Sequence, residues 1–355
     1  MRAAVYHGPH DVRVEDVPEA RPGPDEVLLE VLRSGMCGTD ATEWSQGPKA
    51  FPLTRPHPVT GHVGPMVLGH EFVGRVLEAV PGGRYAVGDV VASGAGVWCG
   101  ECDRCREGRT NICRRYFTLG LSTHGGMAER VAVAERTLTA VPDGLSLDHA
   151  GLAQPVAVGL HAARRAGVAP GDRVVLIGAG AIGSFVLAGL RSLGPADITV
   201  VDFAGSRLER AARLGADRVV EVGPDSDAVL AEVLQGSGAD VVVEASGAPG
   251  QLGHAVRLLR PGGTVLQVGL PSRPEELDVH TLVMREISIR TTLAHVCVDD
   301  LAPALDILAT SPLGSELLDS VRPLDDVAGQ LQRLADGELD GKVLVDPALP
   351  APSQR

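Results

Sequence analysis

The first 150 residues or so carry hydrophobic positions in short runs that Gly and Pro interrupt, a pattern typical of β-strands. AAVYH, EVLLEVLRSG, EFVGRVLEAV and DVVAS are examples of these β-prone runs. Two long irregular segments separate some of them: QGPKAFPLTRPHPVTGHVGP and a stretch rich in cysteine. Loops of such length usually carry function or are held by another group. The pattern predicts a compact, barrel-like β domain in this part of the chain.

After Pro155 the hydrophobic pattern changes to an alternation of strands and helices at short spacing. This alternation predicts a parallel sheet with helices on both of its faces. It weakens after about residue 292, and we expect the tail beyond that point to return to the first domain. The predicted strands are DRVVLIG, DITVVD, RVVEV, ADVVVEAS and GTVLQVGLP, and the predicted helices include AIGSFVLAGLRSLG, RLERAARLGA, AVLAEVLQG, GHAVRLLR, LAPALDILAT and VAGQLQRLADG, before a strand-like KVLVD.

Composition and charge narrow the classes of function. The chain has 355 residues, of which 44% are hydrophobic, enough for two domains with sizeable cores. Its net charge of −13 repels phosphate backbones, so we expect no nucleic-acid partner. No apolar run reaches the length of a membrane span, and the N-terminal segment does not read as a signal peptide. We therefore expect a cytoplasmic protein without a membrane partner.

A glycine-rich motif, GAGAIG, follows the first strand of the alternating region and opens a helix. Glycines at this spacing allow a tight turn and let the backbone approach a pyrophosphate at the helix N-terminus. Asp202 ends the next strand, where a carboxylate binds ribose hydroxyls and repels a 2′-phosphate, which favours NAD over NADP. Arg207 weakens that preference unless it is a surface charge. The alternative is a tight turn without a ligand. The candidate cofactor-binding residues are Gly178, Gly180, Ile182, Gly183, Asp202 and Arg207.

Four of the six cysteines lie in the segment CGECDRCREGRTNIC. Thiolates at this spacing can close a tetrahedral site around one ion, and zinc is the first choice because iron–sulfur clusters usually show other spacings. With no open position, such a site is structural. The alternative is a group of free surface thiols. The predicted zinc ligands are Cys99, Cys102, Cys105 and Cys113.

A second, dispersed set of metal-binding residue types comes from GMCGTD and LGHEF. The first motif supplies Cys37, Thr39 and Asp40, and the second supplies His70 and Glu71. A thiolate, an imidazole and a carboxylate suit a catalytic zinc with an open coordination position.

Together these motifs resemble the zinc-dependent medium-chain alcohol/polyol dehydrogenases over nearly the whole chain. The stretch from CGTD to GHEF, with its Pro-rich insertion, is most similar to the (R,R)-butanediol dehydrogenase and sorbitol dehydrogenase-like branch. The resemblance implies an α/β protein with a GroES-like β-barrel catalytic domain and a Rossmann doubly wound parallel sheet. It implies a catalytic domain at 1–156 with a structural zinc lobe at about 97–115, an NAD-binding domain at 157–292, and a C-terminal segment, 293–355, that returns to the catalytic domain.

The resemblance also implies the cofactors, the partners and the roles of the dispersed residues. NAD and two zincs per chain are expected, one catalytic and one structural, in a homodimer or homotetramer that acts on a small-molecule alcohol or ketone. Cys37 and His70 are expected to bind the catalytic zinc, with Glu71 as a ligand or close neighbour. Thr39 is expected to hydrogen-bond the substrate oxygen and take its proton, and Asp40 to orient a ligand.

Two positions depart from the family's pattern. Butanediol-type relatives carry His where this chain has Thr42, which cannot act as a base near neutral pH. The family's Glu-Pro, whose carboxylate binds or approaches the zinc, is here Gln154-Pro155. Zinc, one thiolate, a neutral imidazole and one carboxylate sum to zero charge, and Gln154 keeps that sum where Glu would make it −1. Our hypothesis is that Gln154 is a weak or indirect partner of a zinc that is still catalytic; the alternative is that this zinc has been lost.

Four other side chains have less specific expectations. His57 is expected to be structural and His62 is undecided. Cys297 is expected to be a small buried hydrophobe. Trp44 either walls the substrate pocket or belongs to the core.

The function that the sequence favours is hydride transfer between NAD and a secondary alcohol, diol or polyol, which gives a ketone. The two altered positions also allow a specialised dehydrogenase of a cyclitol, a sugar or a natural-product intermediate. The alternative from another class is a non-catalytic NAD-binding scaffold that retains only its structural zinc. The intact dispersed set argues against the scaffold, because nothing structural needs it.

Overall fold

The computed structural model describes residues 1–351, and the chain divides into two compact units. Unit 1 comprises Met1–Ala157, Val296–Thr310 and the chain from Gly314 onward. Unit 2 comprises Val158–His295 and Ser311–Leu313. The chain therefore leaves unit 1 after Ala157, returns to it at Val296, and leaves it again only for the short segment Ser311–Leu313.

Twelve of the strands lie in unit 1, and the other six alternate with helices in unit 2. In chain order they are β1 (Arg2–Gly8), β2 (Asp11–Asp16), β3 (Glu26–Gly35), β4 (Met66–Val67), β5 (Glu71–Glu78), β6 (Val90–Ser93), β7 (Gly96–Val97), β8 (Phe117–Thr118), β9 (Arg130–Ala134), β10 (Leu138–Ala140), β11 (Arg173–Ile177), β12 (Asp197–Asp202), β13 (Arg218–Glu221), β14 (Ala239–Glu244), β15 (Leu259–Gln267), β16 (Ser288–Thr291), β17 (Leu318–Arg322) and β18 (Lys342–Val345).

Helices occur in both units. In chain order they are α1 (Gly38–Gln46), α2 (Asp103–Arg106), α3 (Leu147–Ala150), α4 (Ala153–Ala166), α5 (Ala181–Leu193), α6 (Ser206–Arg213), α7 (Ser226–Val233), α8 (Gln251–Leu258), α9 (Val279–Met284), α10 (Cys297–Thr310), α11 (Leu313–Leu317) and α12 (Val327–Ala335). Across residues 1–351 none of these helices has the length and apolar character needed to cross a bilayer.

The main sheet of unit 1 has the strand order β10-β6-β5-β3-β18-β17, and β9 also pairs with β3. The two neighbours of β3 in that order are both antiparallel to it: β5 pairs Glu71 with Gly35, and β18 pairs Leu344 with Gly35. A side chain at Gly35 would collide with the Glu71 carboxylate, so this crowded position requires glycine. The register therefore brings the start of β5 and the start of β18 to the same end of β3, where α1 begins.

The sheet of unit 2 is parallel throughout, with the strand order β13-β12-β11-β14-β15-β16. Counted from β11, this is the order 3-2-1-4-5-6 of a doubly wound dinucleotide-binding sheet. Its central strands carry Val, Ile and Leu because both faces are covered. The doubly wound parallel sheet predicted from the sequence is confirmed. The edge strand β16 escaped prediction because SIRT is polar and mostly exposed.

Candidate metal centres and cofactor loop

The four cysteines of the predicted zinc lobe come together at one point in unit 1. Their Sγ atoms lie 3.5 Å (Cys99–Cys113), 3.6 Å (Cys102–Cys105), 3.8 Å (Cys102–Cys113) and 3.9 Å (Cys99–Cys105) apart. Four sulfurs bound tetrahedrally to zinc at about 2.3 Å would be about 3.8 Å from one another. The thiols therefore fit a closed zinc site.

The lobe holds its sulfurs with its own backbone. The N–H groups of Cys99 and Arg115 both donate to Cys113 Sγ at 3.3 Å. Cys297 packs against the lobe, is 4% exposed, and donates to the Gly96 carbonyl at 3.6 Å. Burial raises the pKa of its thiol to about 12. The expectation that Cys297 is a buried hydrophobe is confirmed.

The dispersed residues Cys37, His70 and Glu71 also form a cluster in unit 1, called the Cys37 cluster below. One potential ligand atom from each residue lies within 4.8 Å of the other two. Cys37 is partly exposed, whereas His70 and Glu71 are buried. Because β3 and β5 are antiparallel neighbours, the end of one strand and the start of the other lie side by side. The donor set and its partial exposure fit a zinc with an open position.

Asp40 organises two members of this cluster from the first turn of α1. Its Oδ2 accepts a hydrogen bond from the Cys37 backbone N–H at 2.9 Å, and its Oδ1 lies 3.7 Å from His70 Nδ1. Cys37 is the N-cap residue of α1. Burial lowers the pKa of His70, but the charges of Asp40, Cys37 and Glu71 outweigh it and raise the pKa to about 9.

Lys342 is a partner of this cluster that sequence reasoning missed. Its Nζ lies 2.9 Å and 2.6 Å from the two carboxylate oxygens of Glu71 and also donates to the Met36 carbonyl. Burial lowers the Lys342 pKa, but the negative charges of Glu71, Cys37 and Asp40 raise it overall. The only available signal was that Lys342 is one of two lysines in the chain, and nothing in the sequence places β18 beside β3.

Lys342 and Asp40 also correct the charge sum made from the sequence, which counted neither. Both are buried beside the proposed zinc ligands. One ammonium and one carboxylate cancel, so the total with zinc is again zero. The sequence-based sum is therefore unchanged, and the role of the neutral amide of Gln154 stays a prediction.

The positions that depart from the family pattern lie on two helices, α4 and α1. Gln154 is 8% exposed in the first turn of α4. The Thr42 hydroxyl is exposed and donates to the Gly38 carbonyl at 2.8 Å. Thr39 is partly buried, and its Oγ1 lies 3.8 Å from Cys37 Sγ. The hydroxyl nearest the cluster is therefore that of Thr39.

Trp44 and His57 have mainly structural contacts. Trp44 is 7% exposed within a cluster that includes Tyr6 and Phe51, and its Nε1 donates to Gln332 at 3.3 Å. Those contacts favour the alternative in which Trp44 belongs to the core. His57 Nδ1 accepts from the N–H groups two and three residues later, at 3.3 Å each, which closes a turn.

The glycine-rich loop of unit 2 joins β11 to α5. Gly178 has φ +97°, and a Cβ there would come within 2.9 Å of the Ser246 nitrogen, so only glycine fits. Gly180 is the N-cap of α5, Ile182 is partly buried, and a Cβ at Gly183 would strike the Gly178 carbonyl. The loop thus presents backbone N–H groups at a helix N-terminus, as a pyrophosphate site requires.

Asp202 and Arg210 brace this loop. Asp202 is 9% exposed, and its carboxylate accepts from the N–H groups of Ala179 at 2.6 Å and Phe203 at 2.7 Å. Arg210 is buried and donates to the Ala179 carbonyl at 3.1 Å. The sequence singled out Arg207 on α6, which is only partly buried. Helical spacing alone did not show that Arg210, one turn later, points inward.

Comparisons with known proteins agree with this geometry. Residues 23–143 match the family model "Alcohol dehydrogenase GroES-like domain", and residues 181–310 match "Zinc-binding dehydrogenase". The chain is 33% identical to (R,R)-butanediol dehydrogenase of Bacillus subtilis over 311 residues, 86% of this chain and 87% of the relative. It is 32% identical to sorbitol dehydrogenase of the same organism over 294 residues, 81% of each chain. The crystal structure of 2R,3R-butanediol dehydrogenase from Bacillus subtilis aligns with a TM-score of 0.88 at 30% identity, covering 98% of this chain and 99% of that one.

Proposed function

The chain belongs to the zinc-dependent medium-chain alcohol and polyol dehydrogenases, and from that premise we propose that it oxidises a secondary alcohol, diol or polyol to a ketone with NAD. It is an oxidoreductase with a GroES-like domain and a Rossmann-type sheet, and its cofactors are zinc and NAD. The observation that carries the proposal is the Cys37 cluster, with buried Asp40 and Lys342 beside it.

Each residue of the cluster has a role that follows from its contacts. Cys37 and His70 would hold the catalytic zinc, and Asp40 orients both of them. Glu71, which Lys342 holds in place, would complete the donor set as a ligand or a close neighbour of that zinc. When bound, zinc supplies a Lewis acid that lowers the pKa of a substrate hydroxyl.

The proton of the substrate hydroxyl passes to Thr39 Oγ1, which lies beside Cys37 Sγ, as the Thr39 hydroxyl gives its own proton to water. Water is the acceptor because Thr42 offers no imidazole and commits its own hydroxyl proton to the Gly38 carbonyl. This route depends on solvent access, which the partial exposure of Cys37 and Thr39 provides.

NAD is the preferred dinucleotide because of Asp202. Its carboxylate is held at the end of β12 against the glycine-rich loop. There it would accept hydrogen bonds from the ribose hydroxyls of NAD and repel the 2′-phosphate of NADP. Gly178, Gly180, Ile182 and Gly183 form the pyrophosphate turn. Arg207 lies on the neighbouring helix α6 and serves as a partly exposed charge near this end of the site.

The partner is a small alcohol or ketone, and the enzyme assembles as a homodimer or homotetramer through unit 2. Val279, Val283 and Met284 on α9, the helix that precedes the edge strand β16 in the chain, are 63%, 68% and 71% exposed. Exposed apolar side chains and an open sheet edge both suit a second copy of the chain. A cytoplasmic location fits the lack of disulfides among the six cysteines of residues 1–351.

The test combines metal analysis with turnover. The purified chain is assayed for zinc and for NADH formation on stereoisomers of 2,3-butanediol, on sorbitol and xylitol, and on a cyclitol. About two zincs per chain with turnover on at least one substrate supports the proposal. About one zinc and no turnover would support the scaffold alternative. Turnover confined to the cyclitol would assign the specialised function.

A further inference from the structure

Glu244, the last residue of β14, has a carboxylate that solvent does not reach. It is 0% exposed, and no Lys, Arg or His of the described chain lies within ion-pair distance of it. A buried carboxylate is costly unless hydrogen bonds replace its hydration. Its Oε1 accepts from the Ser246 N–H at 2.8 Å, from the Ser246 hydroxyl and from the Gly247 N–H at 3.0 Å, and its Oε2 accepts from Gln267 Nε2.

These donors belong to two segments, one after β14 and one at the end of β15. The backbone repeats the link, since the Val268 and Gly269 N–H groups donate to the Glu244 carbonyl at 2.8 Å and 2.9 Å. A Cβ at Gly269 would come within 2.6 Å of Glu244 Oε2, so the second segment packs directly on the carboxylate. Glu244 therefore fastens both segments to each other and to the end of the sheet.

Both segments lie at the carboxyl ends of parallel strands, the edge at which such sheets bind their ligands. The first is also in contact with the glycine-rich loop: the Ser246 nitrogen lies 2.9 Å from where a Cβ of Gly178 would be. The position of Ser246 thus sets how much room remains at the pyrophosphate turn, and Glu244 sets the position of Ser246.

We propose that Glu244 is a positioning residue for NAD: without touching the cofactor, it holds the segment opposite Gly178 at the spacing that the dinucleotide requires. The inference rests on the proposed function and goes beyond it, because it assigns cofactor affinity to a buried residue outside the glycine-rich motif. A carboxylate suits this role because only donors converge on it. An amide at position 244 would offer one acceptor oxygen and would turn an NH2 group toward other donors.

The experiment measures the Kd for NADH by fluorescence for the unaltered chain, Glu244→Gln and Asp240→Asn. Asp240 is the matched control because it is a carboxylate on the same strand, accepts from the Arg173 N–H at 2.8 Å and pairs with Arg260, but lies away from the carboxyl end of the strand. We expect E244Q to raise the Kd about tenfold or more, equivalent to about 1.4 kcal/mol. The KM for NAD should rise with it, while kcat at saturating NAD and the zinc content stay within about threefold. D240N should change the Kd less than about twofold, even where it lowers Tm as much.

Equal NADH affinity in E244Q and the unaltered chain would overturn the role of Glu244 alone, and so would an equal loss in D240N. Failure of the unaltered chain to bind NADH would overturn the proposed function as well. If E244Q does not fold, Gln267→Met takes its place, since it removes one donor to Glu244 and leaves the carboxylate. That variant should raise the Kd about threefold or more, and an unchanged Kd would overturn the proposal.

Discussion

The four-cysteine lobe and the Cys37 cluster are two thiol-bearing sites in the same unit that are built in opposite ways. The lobe takes its four ligands from Cys99–Cys113, and the sulfurs lie within 3.9 Å of their neighbours. The Cys37 cluster draws on residues near the ends of β3, β5 and β18, and it includes a buried ammonium. One site is local and closed, and the other is assembled by the fold and partly open.

The difference shows how each site controls its charge. Sulfur in the lobe accepts hydrogen bonds from backbone N–H groups. Nearby arginines form ion pairs with exposed carboxylates, such as Arg114 with Asp103. In the Cys37 cluster, the negative charge of Asp40 and the positive charge of Lys342 cancel instead. Replacing one neutral side chain there with a charged one would therefore change the net charge of the site. We infer that the lobe contributes stability and that the cluster determines reactivity.

The largest expected effect is the loss of the lobe's zinc. Cys105→Ser removes one of four ligands, and because zinc binding contributes to folding, we expect a loss of about 5 kcal/mol or more and a fall in Tm of at least about 10 °C. Cys297→Ser is the matched control, since Cys297 is buried beside the lobe but is not one of the four. Metal analysis should give about one zinc for C105S and about two for C297S. A C105S variant with full zinc content and an unchanged Tm would contradict the structural role.

The second-largest effect should be a loss of activity with a smaller loss of thermal stability. Cys37→Ser replaces the thiolate of the Cys37 cluster, and we expect about one zinc per chain and a fall in kcat of about 10³-fold or more, because the Lewis acid is lost. The change in Tm should be smaller than for C105S. Circular dichroism melting, metal analysis and NADH formation measure the three quantities. If C37S loses Tm as C105S does, the division between a structural and a reactive site is wrong.

The contrast between the two sites also explains which of their residues could be predicted from the sequence. The spacing of the four cysteines predicted a closed cluster because its members are close along the chain. The motifs around Cys37 and His70 predicted metal ligands through the family resemblance. Lys342 could not be found, because its position depends on β18 pairing with β3 across more than three hundred residues of sequence. Glu244 was hidden for a related reason, since one of its partners, Gln267, lies at the end of a different strand, β15.

Lys342 offers a smaller test. Lys342→Met leaves the Glu71 carboxylate buried without its cation, and breaking a buried pair in this way costs about 3–5 kcal/mol. Lys49→Met is the control, because Lys49 is the only other lysine and its exposed Nζ donates to Gln46 at 2.7 Å. Urea unfolding should show a lower midpoint for K342M alone, and the loss should be greater after chelation, when zinc no longer offsets the Glu71 charge. Equal urea midpoints for the two variants would contradict the role of Lys342 in stabilising the buried Glu71 carboxylate.

The smallest expected effect concerns Gln154 and the pH at which the enzyme works. On the hypothesis that position 154 faces the catalytic zinc, Gln154→Glu adds a negative charge there, which favours the neutral hydroxyl of the substrate over its anion. The pKa of that hydroxyl should rise, so the pH–rate profile for alcohol oxidation should move to higher pH, by about one unit. Gln154→Met, which has similar size and no charge, should leave the profile in place.

A charge change of the same sign beside the lobe separates a local effect from a general one. Arg114→Gln removes an exposed positive charge, and we expect it to leave the pH–rate profile unmoved, because solvent and salt screen exposed charges. If R114Q and Q154E move the profile equally, the shift reports the net charge of the protein. If Q154E retains its zinc and the profile does not move, the neutral amide has no electrostatic role. Only a shift confined to position 154 would show that the chain adjusts its reactivity through the one family carboxylate that it lacks.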